Sequence, residues 1–148
     1  MSLENTINEA IKTAMREKDK VALDSLRAVK SQILLLKTEA KGAEVSAEQE
    51  IAILQRMIKQ RKDSYEQFAA QGRNDLADVE DAQMKVIEKF LPKQLTAEEL
   101  EAEMKNIIAE TGAETIKDLG KVMGVASKTL AGKSDGKGIS EMAKKLLS

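Results

Sequence analysis

The segment Phe90-Leu-Pro-Lys-Gln-Leu-Thr-Ala-Glu-Glu99 separates two helical parts of the chain. It contains Pro92, the only proline, which cannot continue a helix interior and disfavours helix at the residue before it. Thr96 and Glu99 have the spacing of a capping box, in which two side chains accept hydrogen bonds from each other's backbone N–H groups and a helix begins. The segment therefore predicts the end of one helix, a boundary at residues 92–95 and the start of another helix.

Before Pro92, apolar residues recur at steps of three and four, which is typical of amphipathic helices. Ser46 and Gln49 form another capping box, and glycine ends two of the segments, at Gly42 and Gly72. The sides predicted to be buried include Met15, Tyr65 and Val79. Four helices are predicted here: from Ser2 to about Lys18, from a cap at Asp19 to about Ala40, from Ser46 to about Gln71, and from a cap at Asn74 or Asp75 to Leu91.

After the boundary, three helices are predicted within residues 96–148. The first runs from Thr96 to Gly112, the second begins at Thr115 or Lys117, and a short last helix spans 139–147. Residues 132–138, which are rich in glycine, are predicted to form a loop. No segment alternates apolar and polar residues as a half-buried strand does. The predicted fold class is therefore all-α and multihelical, with about seven helices in two subdomains, residues 1–92 and 96–148.

The composition excludes several kinds of chemistry. The 148 residues include no Cys and no His, which removes thiolate nucleophiles, His-based proton transfer and the usual zinc ligands. No catalytic residue, metal or cofactor is predicted. The longest run of bulky apolar residues, Ile33 to Leu36, is too short to cross a bilayer, and the first residues form no apolar signal core. These features predict a cytoplasmic protein with no membrane association.

Positive charge is concentrated towards the C-terminus. Residues 1–111 contain 17 Lys and Arg against 21 Asp and Glu, a net charge of −4, whereas residues 112–148 contain 7 Lys against 4 acidic residues, a net charge of +3. Lysines contact nucleic-acid phosphates without reading the base sequence. Five lysines of this region are the candidate RNA-binding residues: Lys117, Lys121, Lys128, Lys133 and Lys137.

Two glycines lie inside the predicted helix that carries Lys121. Gly120 and Gly124 are four residues apart, so they share one side of this helix, and each costs roughly 1 kcal/mol relative to Ala. Two interpretations account for that cost: close packing of a neighbouring helix, or close approach of a nucleic-acid backbone. The sequence leaves both open.

A secondary basic face is predicted on and after the third helix. Its members are either a solvated helix surface whose charges pair with neighbouring acids, or a face that contacts phosphate or another part of the protein. The four residues are Lys59, Arg61, Lys62 and Arg73.

The stretch Ala131-Gly-Lys-Ser134 resembles the end of a phosphate-binding P-loop. That motif requires a glycine five positions before its second glycine, where this chain has Ser127, and a strand before the loop instead of a helix. Gly132 is therefore interpreted as a helix end followed by a turn.

Several blocks of this sequence resemble the signatures of the YqeY family. Those in the central signature are Lys59-Gln-Arg-Lys-Asp-Ser64, Gly72-Arg-Asn-Asp-Leu76 and Phe90-Leu-Pro-Lys-Gln-Leu95. Those in the C-terminal signature are Leu119-Gly-Lys-Val-Met-Gly124 and Gly132-Lys-Ser-Asp-Gly136.

The resemblance implies a multihelical fold and kinship with the C-terminal region of GatB. GatB is a subunit of the glutamine-dependent tRNA amidotransferase, a carbon–nitrogen ligase with glutamine as amido-N-donor, and its chemistry belongs to a separate domain. The resemblance thus implies an accessory protein, not catalytic alone, that binds tRNA or another structured RNA. It also allows a protein partner such as an amidotransferase or a synthetase. The alternative is a helical protein-interaction module with no RNA role.

Overall fold

The computed structural model describes residues 2–42 and 44–148. Within these residues there are seven α-helices, one short 3₁₀ turn and no strand. The chain divides into two compact units, the first ending at Leu91 and the second spanning Pro92–Ser148. The prediction of an all-α multihelical fold with about seven helices is confirmed. The further prediction that the two parts are separate domains stays a prediction.

The N-terminal unit contains α1 (Leu3–Glu17), α2 (Lys20–Glu39), α3 (Ala47–Ala70) and α4 (Asn74–Glu88). The first three begin where the sequence predicts. Ser2 accepts a hydrogen bond from the N–H of Asn5, Asp19 accepts one from the N–H of Ala22, and Ser46 forms the predicted capping box with Gln49. These caps satisfy N–H groups that have no partner within the helix.

The start of α4 differs from the prediction. Its N-cap is Arg73, with no side-chain capping bond, instead of Asn74 or Asp75. The reason is the tight end of α3, where the N–H of Arg73 donates to the carbonyl of Phe68 at 2.8 Å and Gly72 has a φ of +73°. Asn74 is then already helical, and Asp75 lies in the first turn, where a carboxylate favours the helix dipole.

Apolar residues from all four helices form the core of this unit, with Ile7, Val29 and Ile87 fully buried. Three residues predicted to be buried are instead exposed: Met15 at 55%, Tyr65 at 37% and Val79 at 44%. Each residue turns a helix by about 100°, so a side chain one position away from the buried stripe leaves the core. Met15 follows the buried Ala14 in this way.

The C-terminal unit contains α5 (Ala97–Thr111), a 3₁₀ turn (Ile116–Asp118), α6 (Leu119–Thr129) and α7 (Gly136–Leu147). The three α-helices pack against one another in pairs around a core that includes Met104, Val122 and Leu130. Thr96 and Glu99 form the predicted capping box, and α5 ends at Gly112 with a φ of +69°.

Two boundaries of this unit correct the prediction. The second helix is not continuous from Thr115, because the 3₁₀ turn precedes α6. The last helix begins at Gly136 instead of Ile139, so the predicted loop at 132–138 is shorter. The cause is Asp135, whose carboxylate accepts a hydrogen bond from the N–H of Gly138 at 2.7 Å and so caps α7.

None of the helices described by the structure combines the length and the apolar character that crossing a membrane requires.

We predict that two identical substitutions on α2 have different effects on stability. Leu26→Ala should lower the free energy of unfolding by about 2–5 kcal/mol, because Leu26 is 3% exposed in the core and its truncation leaves a cavity. Leu35→Ala is the matched control, since Leu35 is 53% exposed. It should change stability by less than about 0.5 kcal/mol. Guanidinium unfolding followed by circular dichroism measures both, and equal losses would contradict the assignment of the core.

Candidate functional site

The outward side of α6 is the centre of the candidate site. This helix buries Val122 and Ala126 and contains no acidic residue. Its exposed residues recur at steps of three and four, so they lie together on the side opposite the core. We call this surface the α6 face, and it consists of Gly120, Lys121, Gly124, Ser127 and Lys128.

Gly120 and Gly124 face open space. A Cβ atom added to either glycine would have no other described atom within 4 Å beyond the helix's own backbone and chain neighbours. Of the two interpretations that the sequence left open, close packing of a neighbouring helix is therefore not observed among the described residues of the C-terminal unit. Packing within the described residues of the C-terminal unit therefore does not offset the helix-propensity cost of roughly 1 kcal/mol per glycine.

Lys117 lies in the 3₁₀ turn before α6, and a small hydrogen-bond network fixes this turn. Thr115 caps the turn, and the Asp118 carboxylate accepts hydrogen bonds from the N–H groups of Glu114 at 2.9 Å and Thr115 at 3.2 Å. These bonds lower the pKa of the Asp118 carboxyl, partial burial opposes them, and the charge of Lys121 lowers this pKa further. Lys121 is three residues after Asp118, within about one helical turn of it.

The turn between α6 and α7 carries Lys133. The N–H of Lys133 donates to the carbonyl of Leu130 at 3.0 Å, and its carbonyl accepts from the N–H of Leu95 at 2.8 Å. The side-chain amide of Gln94 donates to the carbonyl of Gly132, which is buried. The backbone beneath Lys133 is thus held at several points, while the Lys133 side chain is exposed.

The five candidate lysines all lie in the continuous segment from the 3₁₀ turn to the first turn of α7. Lys121 and Lys128 are two turns apart on α6, whereas Lys117 lies in the 3₁₀ turn before this helix. Every one of the five is exposed, and none forms an ion pair with another described residue. Lys121 and Lys137 lie in the first turns of α6 and α7, where positive charge is unfavourable unless an anion is bound.

The secondary basic face does not form a comparable surface. Arg61 is half-buried and bonds to the Gln83 side chain at 3.1 Å and the Met57 carbonyl at 3.2 Å, so it joins α3 to α4. Burial lowers its pKa, and the charge of Glu80 opposes that shift. Arg61 therefore has a structural role within the N-terminal unit.

The remaining members of that set are exposed, and two of them are already paired. Lys59 lies 3.3 Å from the Asp63 carboxylate, and Arg73 makes two hydrogen bonds of 3.2 Å to Asp75. The hydrogen bonds from Arg73 hold the pKa of Asp75 below its ordinary value. Lys62 alone of the four is exposed and outside the ion pairs of the described residues. We therefore place the candidate site in the C-terminal unit.

Gln94 is a residue of this site that the sequence did not single out. Its amide bonds to the carbonyls of Pro92 and Gly132, which lies 38 positions further along the chain. A polar residue after a proline carries no specific signal for such a contact. The resemblance offered one hint, since Gln94 and Gly132 lie in two of the blocks that match the family signatures.

No group of three or more acidic side chains comes together as a possible metal site in residues 2–42 and 44–148, and His and Cys are absent from the sequence. The candidate site is therefore a basic surface on which the α6 backbone is left uncovered at Gly120 and Gly124.

Comparison with known proteins identifies related chains. The model of the Yqey-like protein family matches residues 4–147. A protein of Meyerozyma guilliermondii named altered inheritance of mitochondria protein 41, mitochondrial, is 38% identical over 59% of this chain and 45% of its own length. Proteins of the same name are 28% identical in Lachancea thermotolerans, over 70% of this chain and 57% of that protein, and 30% identical in Pyrenophora tritici-repentis, over 84% and 68%.

In the first two of these relatives, the chain spans about half of the relative's length. All three are named as mitochondrial proteins, and this overturns the cytoplasmic location expected from the sequence. That expectation rested on the absence of a long apolar run and of an apolar signal core. Neither feature distinguishes the cytoplasm from the interior of an organelle, because organelle addresses are read by receptors and differ from secretory signals.

We predict that the turn before α6 responds to the protonation of Asp118. The folded-state pKa of Asp118 is lowered, so its stabilising contribution is fully present above the unfolded pKa of about 3.9 and is lost as pH falls through the folded value. In an NMR titration, the amide shifts of Glu114 and Thr115 should follow the Asp118 carboxyl with one shared midpoint. Lys121→Ala should raise that midpoint, and Asp118→Asn should abolish the transition. Amide shifts with unrelated midpoints would contradict this network.

Proposed function

This chain belongs to the Yqey-like protein family, and we propose that it is an accessory protein that binds structured RNA, with tRNA as the preferred class. The observation that carries the proposal is the α6 face, where two glycines in open space lie among unpaired lysines on a helix without acidic residues. The proposed contact is with the RNA backbone.

The two glycines support this proposal because they allow an RNA backbone to come close to α6. A polyanion gains most when its phosphates come close to both the lysine ammonium groups and the helix surface. Side chains larger than hydrogen at Gly120 and Gly124 would hold a ribose-phosphate chain away from α6. The open space at both positions accommodates such a chain, and its binding would compensate the helix-propensity cost of the glycines.

The positions of the lysines also favour an anionic partner. Lys121 and Lys137 add positive charge to helix N-termini, where the helix dipole is already positive, so a bound phosphate would relieve an unfavourable local field. Contacts of this kind position the RNA without specifying its sequence. Recognition would then depend on the shape of a folded RNA, since the α6 face offers no aromatic side chain for base stacking.

Kinship with the C-terminal region of GatB makes tRNA our choice among structured RNAs. We propose no catalytic residue, so any part in amide transfer would be as a partner of an amidotransferase or a synthetase.

A protein-interaction module without an RNA role is the second candidate, and one observation favours it. Leu34 and Leu35 are adjacent on α2 and are 44% and 53% exposed. Single exposed leucines are normal on protein surfaces, whereas contiguous apolar residues indicate a surface that binds another protein. The Leu34–Leu35 pair is a small example of such a surface.

We predict that tRNA binding at low salt depends on the lysines of this site. The variant with Lys121→Ala, Lys128→Ala and Lys133→Ala should bind at least about tenfold more weakly, because it loses three of the proposed phosphate contacts. Lys20→Ala, Lys89→Ala and Lys144→Ala form a control variant of equal charge, also at exposed positions. For about four contacts, the log–log salt slope of the wild type should lie between about −3, the single-strand value, and about −4, the duplex value, and the first variant should have a shallower slope. Equal affinity of the two variants would favour the interaction module.

We predict that filling the α6 face separates stability from binding. Gly124→Ala should raise the free energy of unfolding by about 1 kcal/mol, because Ala favours the helix and its methyl group meets no other atom. Gly124→Leu should also be stable in this open position. Affinity for tRNA should nevertheless fall from Gly to Ala to Leu as the side chain grows. Thermal unfolding and tRNA titration measure the two effects, and undiminished binding by the Leu variant would contradict close approach at Gly124.

A further inference from the structure

The outward side of α5 is acidic and carries small residues at regular intervals. The helix contains five Glu and one Lys, in contrast to α6. Its exposed stripe recurs at steps of three and four, as on α6. We call this surface the α5 face: Glu99, Ala102, Glu103, Asn106, Ala109 and Glu110.

The α5 face and the α6 side of the unit have the same spacing with opposite charge. The acids of the α5 face lie at relative positions 0, 4 and 11, and so do three lysines, Lys117, Lys121 and Lys128. Small or short side chains also occupy matching positions, at 3, 7 and 10 residues after the first charge. They are Ala102, Asn106 and Ala109 in the acidic series, and Gly120, Gly124 and Ser127 in the basic series. All twelve residues are exposed.

These two surfaces cannot meet within one molecule of the C-terminal unit. The helices α5 and α6 pack together through their buried sides, which include Met104 on α5 and Val122 on α6. Their outward sides therefore point away from each other. A second copy of this chain has no such restriction and presents the matching surface.

We infer that the protein self-associates, with the α5 face of one copy lying along the α6 face of another. In a parallel alignment two Glu–Lys pairs face one another over about 10 Å of helix: Glu103 with Lys121, and Glu110 with Lys128. Lys117, in the 3₁₀ turn before α6, lies at the Glu99 end of this contact. The small residues lie between these pairs, so the helix axes approach to the short end of the usual range of about 8–10 Å. The open space over Gly120 and Gly124 admits the second helix.

The chemistry of the contact sets its strength. Exposed ion pairs contribute little individually, and salt screens them, so the association is weak and salt-sensitive. The contact is heterologous, because two different surfaces of each copy take part. Self-association requires no RNA. If the proposed function holds, the same lysines serve both partners, and a second copy regulates the site by covering it; this last step rests on that function.

Charge reversal in the full chain tests the inference. Wild-type protein should show a rise in mean mass with concentration by sedimentation velocity at about 0.01 M salt, and no rise at about 1 M. Glu103→Lys places a positive charge opposite Lys121, and Lys121→Glu places a negative charge opposite Glu103. Each variant alone should associate at least about tenfold more weakly, because like charges then face each other. Glu141→Lys and Lys144→Glu make the same changes in net charge at exposed positions of α7 and should behave as wild type.

An equal mixture of the two variants distinguishes lost contact from lost fold. In the mixture, the lysine introduced at position 103 of one variant meets the glutamate introduced at position 121 of the other. The original Glu103–Lys121 pair forms in the second contact, because each variant keeps one of these two residues. Association should therefore return to the wild-type level. A wild type that is monomeric at low salt, variants that associate normally, or a mixture that stays monomeric would each overturn the inference.

RNA binding gives an independent readout. Glu103→Lys leaves the α6 face intact, so it should bind tRNA at least as well as the wild type while failing to self-associate. Suppose that Glu103→Lys prevents self-association but that neither the wild type nor any variant binds tRNA. That result would reject the proposed function and still support the inference that the wild type self-associates.

Discussion

Two contacts between distant residues hold the C-terminal unit in the form on which its candidate site depends. The amide of Gln94 bonds to the carbonyl of Gly132, and the N–H of Leu95 bonds to the carbonyl of Lys133 at 2.8 Å. Gly132 is buried, so its carbonyl would be costly to leave without a partner. These bonds fix the turn after α6, and Asp135 starts α7 immediately beyond it. The directions in which α6 and α7 present their lysines follow from this turn.

The sequence predicted those features of the fold that are set by neighbouring residues. Ser46 and Thr96 cap their helices through bonds that span three positions, so spacing alone reveals them. The same local signal failed at the start of α4. The connection after Gly72 is so short that Asn74 is already helical, and it therefore does not have the extended backbone of a capping residue. Whether Met15 or Val79 is buried depends on which helices lie beside it, and spacing does not determine that.

The sequence predicted which residue types form the candidate site, but it did not predict how these residues are arranged in space. The excess of lysine after residue 111 is evident in the sequence, and the exposure of all five lysines agrees with it. The open space at Gly120 and Gly124 could be found only in the structure, because a packed and an open helix side can have the same pattern of residues. Arg61 shows the reverse case, since a charge that suggested a binding surface bonds within the N-terminal unit.

The C-terminal unit is electrically neutral as a whole, and this constrains how any charged partner meets it. Residues 92–148 contain nine lysines and nine acidic residues, yet α5 has an excess of acid and α6 has none. A neutral unit has no net charge to attract a polyanion from a distance, and salt screens the separate fields of its acidic and basic faces beyond a Debye length of about 10 Å. Attraction begins only when a partner is already near the α6 face and far from the α5 face. In the contacts that we propose, orientation at short range, and not net charge, selects the partner. The small residues between the charges of each face would allow that partner to come close.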